Sequence, residues 1–149
     1  MQSNEKPRYA IVAAVQLPNV SDAEFEASLA ELRDLAKTLG FKVTRSFVQK
    51  RAAFDTAAYL GTGKREEIRS FVSEAGTAGT GPIEAILVDH EISPTQARNL
   101  EKEVGCEVMD RTMVILDIFH RNARSRAARA QVEIARLGYM APRLRELAK

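Results

Sequence analysis

The run Gly61, Thr62, Gly63, Lys64 holds residue types that bind phosphate, because glycine exposes backbone N–H groups and lysine adds a point charge at a helix start. A phosphate loop needs a further glycine six residues before its lysine and Ser or Thr directly after it. Ala58 and Arg65 occupy those two places, so the wide loop and the magnesium-binding hydroxyl are both missing. What remains is an anion or nucleotide site of Gly61, Gly63 and Lys64, set against a tight turn demanded by backbone geometry. Asp89, Glu91 and Asp110 fall near carboxyl ends of expected strands, where open α/β sheets take ligands and where carboxylates also cap helices or hold arginines. Asp110 and Arg111 are the pair that could flank a nucleotide at the glycine-lysine run. His90 and His120 are the only imidazoles and Cys106 the only thiol, so no metal-ligand cluster forms and both histidines read as ordinary polar side chains. Nucleophile, base and orienting group do not converge anywhere, and no catalytic residue is assigned.

A second chemistry lies in the arginines. Residues 1–110 hold 13 basic against 17 acidic side chains, whereas 111–149 hold nine basic against three acidic, eight of the nine being arginine. The formal charge of +2 is therefore the sum of an acidic body and a basic tail. Guanidinium groups fork onto phosphate oxygens and stack on bases, which makes RNA a candidate partner for Arg121, Arg124, Arg126, Arg129, Arg136, Arg143 and Arg145. On one helix, residues 122–145 would extend roughly 35 Å, long enough to follow several phosphates. A solvated helix face is the plainer alternative. Pro142 cannot donate to the carbonyl of Gly138, so a kink or restart is expected there.

The elements that must carry these residues alternate. Residues 9–15 form a nearly continuous apolar run, as in a parallel strand covered on both faces. Ser21 and Glu24 make a capping box, Phe25, Leu29, Leu32, Ala36 and Leu39 repeat at helical spacing, and Gly40 closes the helix. Phe41, Val43, Phe47 and Val48 mark a second strand. Residues 49–60 read as a loop ending in a short extended piece at 57–60, then a turn at 61–64 and a helix at 65–75. The glycine-rich stretch 76–82 reads as a flexible connection. Residues 85–88 form a buried strand. Ser93, Pro94 and Gln96 open a helix that runs to about Val104, Gly105 stops it, and 106–109 form a last strand. This order predicts an α/β fold: a small, open, mostly parallel four-stranded sheet with flanking helices, occupying residues 1–110.

Residues 111–149 form the second part, a basic helical segment. Residues 112–123 are too apolar for one exposed stripe and read as a helix buried on most sides or a hinge under the sheet. From Ser125 onward Ala130, Ile134, Leu137, Ala141, Leu144 and Ala148 alternate spacings of four and three, a coiled-coil seam that wants a partner helix. The whole, 149 residues with 45% apolar and 28% charged side chains, is of single-domain size and needs no disulfide. No stretch reaches the roughly 18 unbroken apolar residues of a membrane span, and the polar opening at 1–8 is unlike a secretory signal, so a cytoplasmic setting without membrane contact is expected.

Several blocks together resemble the amino-terminal domain of the HflX family of ribosome-associated GTPases. They are Gln49-Lys50-Arg51, Tyr59-Leu60-Gly61-Thr62-Gly63-Lys64, Ser93-Pro94-Thr95-Gln96-Ala97-Arg98-Asn99-Leu100-Glu101 and Asp110-Arg111-Thr112. Ile115-Leu116-Asp117-Ile118-Phe119, Gln131-Val132-Glu133-Ile134-Ala135 and Tyr139-Met140-Ala141-Pro142-Arg143-Leu144 complete the set. The resemblance implies an α/β subdomain followed by a helical one in which two long helices pair antiparallel, the residues up to Lys149 supplying the first. It implies a G domain, with GTP and Mg²⁺, beyond that point; none of its motifs lies in these residues, so GTP hydrolysis is not expected from this chain alone, which needs no cofactor of its own.

Members of the family act on the large ribosomal subunit in splitting, stress or rescue, and the resemblance implies rRNA contact through the arginines above. It assigns Gly61, Gly63, Lys64, Asn99, Asp110 and Arg111 to shaping the α/β part. Gly138 departs from the polar residue usual before the tyrosine. Two other readings stay open: an interaction module that pairs through the seam with itself or with a G domain in cis or in trans, and a weak nucleotide-binding domain at 61–64.

Overall fold

The computed structural model describes residues 7–77 and 81–149 of the chain. Its elements are β1 (Arg8–Gln16), α1 (Asp22–Thr38), β2 (Phe41–Lys50), α2 (Thr62–Thr77), β3 (Ile83–Val88), α3 (Pro94–Val104), β4 (Glu107–Asp110), α4 (Arg111–Asn122) and α5 (Arg126–Leu147). The fold is α/β, and the four strands form one sheet in the order β2-β1-β3-β4 with every neighbouring pair parallel.

Alternation along β1 divides the core into two layers, because successive side chains of a strand point to opposite faces. Ile11, Ala13 and Val15 join Phe47, Ile68 and Leu100 under α2 and α3. Ala10, Val12 and Ala14 join Phe25, Leu29, Leu32 and Ala36 of α1, with Leu87, Met109 and Met113. Both capping boxes form: Ser21 accepts from Glu24 N, and Ser93 from Gln96 N. Each such cap stabilises its helix by about 1 kcal/mol. Gly40 and Gly105 sit at φ +90° and +84°, the left-handed region that ends helices.

Several boundaries differ from those expected. No extended piece occurs at 57–60; instead an antiparallel bridge between Asp55 and Tyr59 closes a tight loop, and the Asp55 carboxylate accepts the N–H groups of Ala57 and Ala58. The run 61–64 is not a turn, since α2 already begins at Thr62. Gly61 is closely approached by two side-chain ends: a Cβ there would lie 2.6 Å from Arg51 Nη1 and 2.9 Å from Gln49 Nε2, so both would have to shift. Strand β4 is set one residue later than expected, so that Asp110 ends it and caps α4. Residues 1–6 of the polar opening and 78–80 of the glycine-rich connection lie outside the described residues.

Helix α4 is half-buried rather than enclosed, with only Met113 and Val114 fully covered. Helix α5 runs unbroken through Gly138 and Pro142. The proline removes one backbone hydrogen bond, and the buried Arg143 next to it holds that turn against the body of the protein.

Candidate functional site

Helices α4 and α5 make a hairpin through the short link 123–125, with Ser125 capping α5. The contacts run in opposite chain directions: His120 Nε2 lies 2.7 Å from Glu133 Oε2, Asp117 is 3.8 Å from Arg136, and Asp110 meets Tyr139 and Arg143. Thus α5 does have a helical neighbour, which the seam pattern alone did not reveal. It meets α4 with the face carrying Glu133, Arg136, Tyr139 and Arg143. The seam itself faces outward, with Ile134 71%, Leu137 54% and Leu144 56% exposed and Ala130 and Ala141 exposed between them.

The arginines separate into two groups. Arg121, Arg124, Arg126, Arg129 and Arg145 are exposed and form no ion pair among the described residues. Arg136 is half-buried between Asp117 and Glu133. Arg143 overturns its expected place on an RNA-facing surface, because only 6% of it is exposed. Its guanidinium donates to Asp110 Oδ2 at 2.8 Å, to the Tyr139 hydroxyl at 2.8 Å and to the Ile92 carbonyl, and it stacks over the Tyr139 ring. Desolvation of a cation is tolerable only with such partners.

Asp110 is the centre of this junction. Its carboxylate accepts Met113 N at 3.0 Å, Ile92 N at 3.1 Å, the Tyr139 hydroxyl and Arg143 Nη2. Burial and the neighbouring carboxylate push the Tyr139 hydroxyl well above the usual tyrosine range, so it stays a donor. Arg111 turns elsewhere, to Asp89 at 2.6 Å and to Glu31, while Ser28 donates to the second oxygen of Asp89 at 2.7 Å.

The glycine-lysine run is engaged in part. Gly61 N donates to Gln49 Oε1 at 2.9 Å, Arg65 reaches the Leu60 carbonyl and sits 2.7 Å from Glu103, and Lys64 lies 3.3 Å from Glu67. Asn99 Nδ2 and Gln96 Nε2 clamp the preceding loop through the carbonyls of Ala57 and Asp55. No hydrogen bond or ion pair among the described residues joins this run to Asp110 or Arg111. The run lacks the hydroxyl that a phosphate loop places after its lysine to hold magnesium, and Gly61 N is taken by Gln49, whereas the N–H groups of Thr62, Gly63 and Lys64 open the first turn of α2. No cluster of His, Cys, Asp and Glu suited to a metal occurs among the described residues, and no described helix is long and apolar enough to cross a membrane.

Sequence reasoning missed Tyr59, which is fully buried in the left-handed region at φ 73°. Its hydroxyl accepts Val15 N at 3.1 Å and lies 2.6 Å from His90 Nδ1, at the carboxyl ends of β1 and β3. In an open parallel sheet that crevice is where ligands bind. Here Tyr59, His90 and Phe54 pack against one another at the ends of those strands. Burial lowers the His90 pKa, with the Asp89 charge opposing. No pattern in the sequence marks a bulky residue for a left-handed position.

A parallel four-stranded α/β body carrying a basic helical hairpin is the class that these elements define. Residues 26–120 match the description of the GTP-binding GTPase N-terminal family, and the chain belongs to that family. Its relatives are GTPases named HflX. The protein of Gluconacetobacter diazotrophicus is 42% identical over 92% of this chain and 37% of its own length, and that of Escherichia coli is 37% identical over 78% and 26%. Among solved structures, a GTP-binding protein from the archaeon Sulfolobus solfataricus in complex with GDP superposes with a TM-score of 0.64 at 25% identity, over 95% of this chain and 39% of that one. The SsGBP–GDP complex gives 0.67 at 24% identity, over 93% and 37%, a likeness of fold. The chain thus spans about a third of the length of the relatives that it matches.

Proposed function

We propose that this chain is the ribosome-binding amino-terminal domain of an HflX-type GTP-binding protein, and that it holds rRNA of the large subunit through the α4–α5 hairpin. The observation that carries this reading is the group of exposed arginines, Arg121, Arg124, Arg126, Arg129 and Arg145, none in an ion pair among the described residues. A cation already matched by a neighbouring carboxylate gains little from a phosphate, whereas an unmatched one releases counterions when it binds. In this reading the setting is cytoplasmic, the task is ribosome splitting, stress response or rescue, and GTP and Mg²⁺ belong to a G domain supplied in cis or in trans. Co-sedimentation of the chain with large subunits over a salt series tests it, with Arg126→Glu/Arg129→Glu as the matched variant.

The outward seam favours a second, compatible reading. Ile134, Leu137 and Leu144 form an exposed apolar line that a further helix, from the G-domain side or from a second copy, would cover. Mass in solution at rising concentration distinguishes self-pairing from a partner in cis.

A further inference from the structure

We propose that Asp110 is a positioning residue that sets the direction of the basic hairpin, so that RNA contact by Arg126 and Arg129 depends on a carboxylate neither of them touches. This rests on the RNA-binding reading of the hairpin. Asp110 lies at a point where four parts of the fold meet: it ends β4, caps α4 through Met113 N, holds the β3–α3 connection through Ile92 N, and receives Tyr139 and Arg143 from α5. It is 1% exposed, so no water replaces a lost partner without rearrangement.

The link between α4 and α5 is only 123–125. Beyond this junction α5 lays the partly buried Met140 against the core layer that includes Met113 and Val114, and is otherwise tied to α4 by exposed or half-exposed pairs, His120 with Glu133 and Asp117 with Arg136, and to α3 by Glu146 with Arg98 and Thr95. Exposed pairs contribute little orientation because solvent screens them. Asp110 with Arg143 and Tyr139 is the buried polar contact, directional where the Met140 packing is not, and one carboxylate serves both helices. Loss of its charge lets α5 move relative to α4, and the arginines no longer meet successive phosphates together.

Asp110→Asn separates the two roles, since the asparagine oxygen still caps α4 through Met113 N while its NH2 replaces the charged oxygen that accepts from Arg143, Tyr139 and Ile92 N. Tyr139→Phe is the second variant; it removes one hydrogen bond to Asp110 and leaves the carboxylate in place. Two readouts apply to the whole chain: amide hydrogen exchange, and the slope of log affinity against log salt for large subunits. Amides of α5 should exchange roughly tenfold faster while β1 and β3 keep their protection, and the salt slope should flatten by about one phosphate or more. Exchange in α5 equal to wild type in both variants overturns the proposal, as does an equal rise in β1, β3 and α5, which would make Asp110 a general stability group. A wild-type chain that ignores ribosomes removes the RNA-binding reading, while the exchange comparison still decides the joint.

Discussion

Arg143 and Asp110, 33 residues apart in sequence, form a salt bridge of 2.8 Å with both side chains nearly sealed from solvent. A buried pair is hard to break from one side, because the remaining charge keeps its desolvation penalty without its partner. Arg143→Met should therefore destabilise the chain by about 3 kcal/mol or more. Arg145→Met, two residues on and exposed, should stay within about 0.5 kcal/mol of wild type. Urea midpoints of the two variants check this, and equal midpoints would refute the buried role.

Two glycines of one short motif should respond with opposite sign. Gly61→Ala pushes a methyl group against the side-chain ends of Arg51 and Gln49 and displaces the glutamine that receives Gly61 N, for a loss of about 1 kcal/mol, the net worth of that hydrogen bond. Gly63 lies in the first turn of α2 with nothing near its added Cβ, so Gly63→Ala should gain about 0.5 kcal/mol by reducing unfolded-chain entropy. Thermal melts of both variants suffice. A stabilising Gly61→Ala would show that the loop clamp is loose.

The Tyr59–His90 contact predicts a pH dependence. Burial lowers the His90 pKa below its ordinary 6.5, so the unfolded chain binds this proton more readily than the folded one. Stability should then fall as pH drops through about 6.5 and level off below the lowered folded value. His90→Asn should flatten that slope between pH 7 and 5, measured by urea unfolding at fixed ionic strength. An unchanged slope would mean that His90 takes up its proton in the folded state as readily as in the unfolded one.

Local signals carried most of the fold. The boxes Ser21–Glu24 and Ser93–Gln96 and the stops at Gly40 and Gly105 are decided within a few residues, so they were readable in one dimension. The arginine tail was readable as a charge pattern but not as a surface. Arg136 and Arg143 lie on the face shared with Glu133 and Tyr139, and only the fold back onto α4 shows that this face points inward. The glycine-lysine run was readable as a helix start but not in its contacts, since Gln49 accepts Gly61 N and Glu67 pairs with Lys64. Tyr59 gave no signal, since the partners of its hydroxyl, Val15 and His90, lie in distant segments.

The central claim concerns the exposed arginines of the hairpin, and one measurement bears on it most directly: binding of the chain to purified large ribosomal subunits across a salt series, beside Arg126→Glu/Arg129→Glu. The account predicts association at low salt, a log–log salt slope of several phosphates, and a loss of roughly tenfold or more in the double variant with an unchanged melting temperature. Absence of binding at low salt, or equal binding by the double variant, would contradict it.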